Sequence, residues 1–275
     1  MNAEYYFINT FRTHRSLIGD DGVRVGNRVY SKDLFFENVH FKRTWLTPFQ
    51  IGYKAMIINI SDAVAMNANP KYALLGVAMP KTMKLHQMEE LSSGIRTAAA
   101  EFGIEIVGGD TIGNSKLDLS VTIVSETDYK ILTRFGLKNG DLIAYTGTLG
   151  RSLRELRYLM SGGKIHSKNR FVRPELRTAF VRKARRYLRC GMDISDGLFS
   201  DVDKLSRSNR LGIRFFSPFQ KGIGCSGEEY EMLIAFDPKY TKTLRRMAAM
   251  TRTPLNIIGE ACRGKFTNRC KAHHF

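Results

Sequence analysis

At 275 residues, with 43% hydrophobic and 25% charged residues, the chain has the size and composition of one large or two ordinary soluble globular domains. No apolar run approaches the roughly 20 residues that span a bilayer, and the mixed N-terminus lacks the pattern of a secretory leader, so a cytoplasmic protein without membrane partners is expected. The formal net charge is +17, and between Lys130 and Arg189 sixteen Lys/Arg stand against three acids, Asp141, Glu155 and Glu175; this favours anionic partners, but no zinc finger, RNP-type aromatic motif or GxxG clamp accompanies it, and nucleic acid is not expected.

In chain order, Val23–Val25 and Arg28–Ser31 alternate around Gly26-Asn27 and read as a hairpin. Thr47-Pro48 is a helix start, Thr as N-cap and Pro at the first helical position, for a helix reaching about Asn67. Tyr72–Met79 reads as a strand, Lys84–Phe102 as a helix closed by Gly103, Ile104–Val107 as a short strand ending at Gly108-Gly109-Asp110, and Leu117–Val124 as another strand. A second unit is expected from about Asp128, giving segments 1–128 and 129–275. In it, Asp141–Thr146, Gly212–Phe216, Met232–Phe236 and Pro254–Ile258 read as strands. Leu149–Met160, Pro174–Arg189 and Pro238–Met250 read as helices, and Gly191–Gly197 as a loop opening a helix to about Ser208. Strands and helices mixed throughout imply an α/β chain of the α+β type, in two domains with mixed sheets. The four cysteines form no CxxC pair, so reduced thiols are the simpler expectation.

Three nucleotide- or metal-type spellings fail on context. Gly259–Lys265 has P-loop spacing, but Phe266 stands where a hydroxyl should meet Mg²⁺. Gly222-Ile-Gly224-Cys-Ser-Gly227 spells GxGxxG without a βαβ context. Asp193–Gly197 resembles a calcium loop whose glycine comes one position early.

What remains is a series of aspartates beside glycine or small residues: Gly19-Asp20-Asp21-Gly22, Ser31-Lys32-Asp33, Ser61-Asp62, Gly109-Asp110 and Asp193-Ile-Ser195-Asp196-Gly197. Each segment alone is equally readable as a turn. Together they suit a hard cation on phosphates, because Mg²⁺ takes oxygen ligands and phosphoryl transfer is mostly positioning and charge stabilisation. Asp62 is the most informative: with Ile51, Ala55 and Ile58 it shares one helix face, where a carboxylate needs a cation or an ionic partner.

Taken in order, the segments Ile18–Asp21, Asp33–Phe41, Asn59–Met66, Gly108–Thr111, Thr133–Asp141, Thr146–Gly150, Met192–Leu198 and Gly227–Glu231 resemble the thiamine-monophosphate kinase family. That family shares its fold with aminoimidazole ribonucleotide synthetase and selenophosphate synthetase. The resemblance implies aminoimidazole-ribonucleotide-synthetase-like N- and C-terminal domains, a homodimer joined through its N-terminal sheets, and ATP-dependent phosphorylation of thiamine monophosphate with several Mg²⁺ ions. It implies metal ligands at Asp21, Ser31, Lys32, Asp33, Asp62, Asp110, Asp193 and Asp196, and ATP contacts at Gly109, Asp110, Arg134 and Ser195. Substrate contacts are implied at His40, Glu228 and Phe275, with no dedicated catalytic base. Departures from the family pattern are Lys32 for threonine, Asn67 for glycine, and Ser226-Gly-Glu-Glu-Tyr for Gly-Gly-Glu-Asp-Tyr. On a strand the Lys32 side chain should point away from Asp33, leaving only its carbonyl for metal. The alternatives are a related ATP-dependent synthetase, or a basic nucleic-acid-binding protein.

Overall fold

The computed structural model describes residues 3–11, 18–127 and 130–270. A short helix α1 (Ala3–Thr10) precedes the hairpin β1 (Val23–Val25) and β2 (Arg28–Phe36). Helix α2 (Pro48–Ala65), strand β3 (Asn69–Pro80), helix α3 (Leu85–Phe102) and strands β4 (Glu105–Asn114) and β5 (Asp118–Glu126) follow. These strands form one sheet in the order β1-β2-β5-β3-β4. Every pairing in it is antiparallel except β3 with β4, which α3 connects as a parallel crossover.

The second half contributes β6 (Leu142–Thr146), α4 (Arg151–Met160), α5 (Thr178–Ala184), β7 (Cys190–Asp193), α6 (Leu198–Asn209), β8 (Gly212–Phe215), α7 (Lys221–Gly224), β9 (Met232–Phe236), α8 (Thr241–Met250) and β10 (Leu255–Cys262). Its sheet runs β7-β9-β6-β10-β8 and is antiparallel at every described pairing, not mixed as expected.

Two further boundaries differ from the sequence reading. The expected helix Pro174–Arg189 shrinks to α5 and one 3-10 turn, Arg185–Tyr187, because Arg177 rather than Pro174 stands at the helix start. Strand β4 does not stop at the glycines but runs through them. A register shift between Ala73 and Leu74 brings Gly109 so close to β3 that a Cβ there would lie 1.8 Å from the Leu75 carbonyl oxygen. Only glycine fits this close approach.

Helix α2 is the axle of the fold. Thr47 caps it in a reciprocal box with Gln50, and every residue from Gln50 to Ala65 is buried. The single apolar face inferred from sequence is therefore too modest: the helix has no solvent face at all. It packs on α3 through Gly52 and Gly94, where added Cβ atoms would lie 2.2 Å and 2.0 Å from backbone oxygens of the other helix. It also touches β2, β5 and β7, so one apolar cluster continues from Phe35 and Ile123 to Phe180 and Phe236. Asn67, just past the end of α2, has φ +57°, a left-handed conformation that asparagine tolerates better than most residues.

The thiols are a clear correction. Cys225 and Cys270 are joined as a disulfide with Cα atoms 5.5 Å apart, while Cys190 and Cys262 are free. A separation of 45 residues carries no motif, so this pairing had no local signal. Loop-closure entropy for a loop of that length gives about 4 kcal/mol of stabilisation. Cys270→Ser is accordingly expected to destabilise the oxidised protein by an amount of that order. It should leave a fully reduced sample nearly unchanged, as read by denaturant unfolding with and without reductant.

Candidate active site

Four polar side chains of α2, a helix buried from Gln50 to Ala65, define the site through the groups they meet. Asn59 Oδ1 accepts from the Asp33 backbone N–H at 2.7 Å, while its own carbonyl accepts from Ser31 Oγ at 3.3 Å. Ser61 Oγ donates to Asp193 Oδ2 at 2.5 Å. Lys54 Nζ lies 2.5 Å from Glu228 Oε2. Asp62 closes the set: carboxylate oxygens of Asp21, Asp62 and Asp193 lie within 4.8 Å of one another. One helix thus joins the N-terminal loop, the strand β2 of the first sheet and the end of β7 in the second.

The electrostatics of this group are self-opposed. Burial raises the pKa of Asp62 well above the carboxylate range, and Asp33, Asp193 and Asp21 raise it further. Burial and Asp21 do the same to Asp193, against the Ser61 hydrogen bond. Burial, Asp21 and Asp196 push Asp33 up to about 6. Arg134 offsets part of this charge. It reaches Asp21 Oδ1 through both Nε, at 3.1 Å, and Nη2, and its backbone N–H donates to Asp20. The other oxygen of Asp21, Oδ2, is buried with no hydrogen-bond partner. An orphaned acceptor among converging buried carboxylates is the donor set a divalent cation fits.

Asp33 and Asp20 are both raised from 3.8 to about 6, chiefly by burial. The folded state then holds more protons than the unfolded state across that window, so they make metal-free stability fall as pH rises from about 4 to about 6. A bound cation relieves the repulsion that appears on ionisation. Thermal melts should show a larger gain from Mg²⁺ at pH 8 than at pH 5.

The remaining candidates fall in different places. Lys32 points to the opposite face of β2, donating to Ser120 Oγ at 2.5 Å and Thr122 Oγ1 at 3.3 Å. Asp196 pairs with Lys204 at 2.7 Å, and Lys204 also holds the buried Asp201 at 2.8 Å. Ser195 accepts the Glu228 backbone N–H at 2.7 Å through its carbonyl, zipping the two loops together. Gly109 and Asp110 stand on the exposed edge strand β4, outside the three-carboxylate group. His40 takes the Phe36 backbone N–H on Nδ1 at 3.0 Å, which leaves the proton on Nε2. Its ring lies 5.7 Å from that of Phe35, and Phe35 is also 5.8 Å from Lys54 Nζ. His40 and Glu228 are therefore joined through Phe35 and Lys54. Phe275 lies outside the described residues.

Lys54 is the residue the sequence reading missed. It is fully buried, with Nζ 3.3 Å from the centroid of the Phe171 ring, and burial lowers its pKa against the pull of Glu228. A lysine two turns before Asp62 on a predominantly apolar helix was the available signal. Asp201 and Lys204 were also missed, although their i,i+3 spacing on α6 is legible. Glu229, which lengthens the arm at the family's aspartate position, accepts the Gly150 N–H at 2.7 Å at the start of α4.

Residues 19–127 match the family model described as AIR synthase related protein, N-terminal domain. The thiamine-monophosphate kinase of Aquifex aeolicus is 31% identical over 211 residues, covering 73% of this chain and 68% of the relative. That of Nitrosopumilus maritimus is 31% identical over 233 residues, covering 77% and 74%. Among solved structures, AaThiL complexed with AMPPCP and TMP superposes with a TM-score of 0.84 at 25% identity, over 96% of this chain and 90% of that one. With this similarity running through both sheets and through the aspartate-bearing segments, the chain belongs to the thiamine-monophosphate kinase family.

Proposed function

We propose that this protein transfers the γ-phosphate of ATP to thiamine monophosphate, giving thiamine diphosphate and ADP. The observation that carries the proposal is the convergence of Asp21, Asp62 and Asp193 with an unsatisfied buried Asp21 oxygen. Such a site holds cations on a phosphate chain without a P-loop. Asp21, Asp62 and Asp193, with Asp33 beside them, would hold Mg²⁺, and the bound metal would supply neutralisation of the two phosphate anions that must meet. No general base is needed, because the substrate phosphate is already a nucleophile.

The chain's own residues position the reactants. Arg134 sits among the carboxylates as the fixed cation and is assigned to ATP phosphate. His40 Nε2–H and Glu228 are assigned to the thiamine moiety, Glu228 as counter-charge to its cationic ring. Ser31, Ser195, Asp196 and the Lys32 carbonyl stand as further oxygen donors. Gly109 and Asp110 are assigned to the ATP side, and Phe275 to the substrate, on the family motif match.

We read the chain as two units meeting near residue 128, and as a cytoplasmic homodimer. The wholly exposed ten-residue edge strand β4, with Ile112 and Val107 more than half exposed, favours pairing with a second copy. The assay is incubation with ATP, Mg²⁺ and thiamine monophosphate, with aminoimidazole-ribonucleotide precursor and selenide in parallel. Thiamine diphosphate and ADP are expected in the first alone; turnover only with another acceptor would sink the proposal.

Glu228→Gln separates recognition from stability. It should raise KM for thiamine monophosphate at least tenfold, leave KM for ATP unchanged, and destabilise the protein by stranding the buried Lys54 charge. Lys54→Met combined with Glu228→Gln should recover the stability and keep the KM defect. A double variant that recovers both would make the pair purely structural.

A further inference from the structure

The basic excess of the second half was unexplained by the site, and the fold gathers part of it into one place. A groove of about 570 Å³ between α5, the turn after it, and α8 is lined by Arg182, Lys183, Arg186, Tyr187, Arg246 and Met247, among others, with no acidic residue. Its two walls are about 60 residues apart in sequence, so no motif search finds it.

The four cations of the groove are free of the contacts that engage Arg185, Arg170, Arg177 and Arg189; Arg245 is likewise exposed and, among the described residues, unpaired, but does not line the groove. Arg185, between Lys183 and Arg186, is buried and donates to the carbonyls of Lys130, Ile131 and Leu188. Arg170 and Arg177 hold Glu231, and Arg189 holds Asp141 and Asp237. Arg182, Lys183, Arg186 and Arg246 are exposed and, among the described residues, make no ion pair or side-chain hydrogen bond. Asp237, just before α8, is already held by Arg189 and Lys239. The dipole of the short α5 accounts for Arg182 and Lys183 in its last turn, but not for Arg186 or Arg246. Like charges around one concavity sum to a positive potential that favours an anion there.

The groove also has an aromatic wall. Tyr187 is half-buried and held edge-on by Tyr240 at 5.2 Å. Cations around a fixed ring in a concave channel are the arrangement that takes phosphates and a stacked base together, whereas a flat anionic surface needs no such concavity. We propose that the α5–α8 groove binds single-stranded nucleic acid, with Arg182, Lys183, Arg186 and Arg246 on phosphates and Tyr187 against a base. The lining residues are separate from those assigned to phosphoryl transfer, so the inference stands or falls apart from the kinase reading.

The test is fluorescence anisotropy of the whole protein with a labelled oligouridylate of about 12 nucleotides, titrated with salt. Four phosphate contacts predict a log–log slope of about −3. The variant R182E/R186E/R246E should bind at least tenfold more weakly with a flatter slope and unchanged kinase turnover. Tyr187→Ala should weaken binding about fivefold or more. The control K138E/R263E/K265E makes the same change in net charge on exposed residues elsewhere and should retain binding. Equal loss in both triple variants would reduce the effect to bulk charge and overturn the site. Absence of oligonucleotide binding, or binding of inorganic polyphosphate alone, would overturn it as well.

Discussion

Asp62→Asn is expected to lower turnover by at least about 10²–10³-fold, the loss that follows removal of one preorganised electrostatic contact in a closed site, while the protein stays folded. Asp62 has three carboxylates around it and lies on a helix buried from Gln50 to Ala65. An amide there is nearly isosteric and removes a charge that the metal-free fold opposes. Without divalent cation the variant should therefore melt at or above the wild-type temperature. With Mg²⁺ the wild type should gain stability and the variant should gain little. A turn-forming Asp62 would give neither result: its substitution would leave turnover intact and the Mg²⁺ response unchanged. Calorimetric melts with and without chelator, beside steady-state rates, distinguish the two.

Glu231→Ala is expected to cost about 3–5 kcal/mol of stability, the usual consequence of stranding buried charges. Glu231 is fully buried and accepts from Arg177 Nε and Nη2, both at 2.7 Å, from Thr146 Oγ1 at 2.8 Å, and from Arg170. Removing it leaves the buried Arg177 facing only the exposed Glu175. Against a total of about 5–15 kcal/mol for a typical domain, that is a large share. Glu231→Gln keeps two acceptor directions and should lose less. Denaturant midpoints for the two variants measure this, and equal, small losses would contradict it. Glu231 closes the Gly227–Glu231 segment, so one motif carries both Glu228, the carboxylate assigned to the substrate, and a load on the fold three residues later.

Local signals made much of the first sheet legible. The Gly26-Asn27 turn, the Thr47-Pro48 start and the Gly103 stop each depend on residues adjacent in sequence, and each stands where expected. The second half was less legible because its elements are short and its decisive contacts are distant. Pro174 suggested a helix that begins only after Arg177, and the 45-residue disulfide had no pattern to announce it. In the site, Asp62 was readable because a carboxylate in an apolar helix demands a reason. Its grouping with Asp21 and Asp193 was not, since only α2 packing against both sheets brings them together. Lys54 escaped for the converse reason: one lysine in a helix usually marks a solvent face, and this helix has none. Gly108-Gly109 read as a ligand-facing strand end, and the fold adds a second demand on Gly109, the approach of Leu75.

The γ-phosphate itself can be followed through the reaction. With γ-³²P-ATP, Mg²⁺ and thiamine monophosphate, the label should appear in the terminal phosphate of thiamine diphosphate. Transfer should stop on chelation of Mg²⁺ and in Asp62→Asn. Label released only as inorganic phosphate, or transfer that persists without divalent metal, would contradict the account.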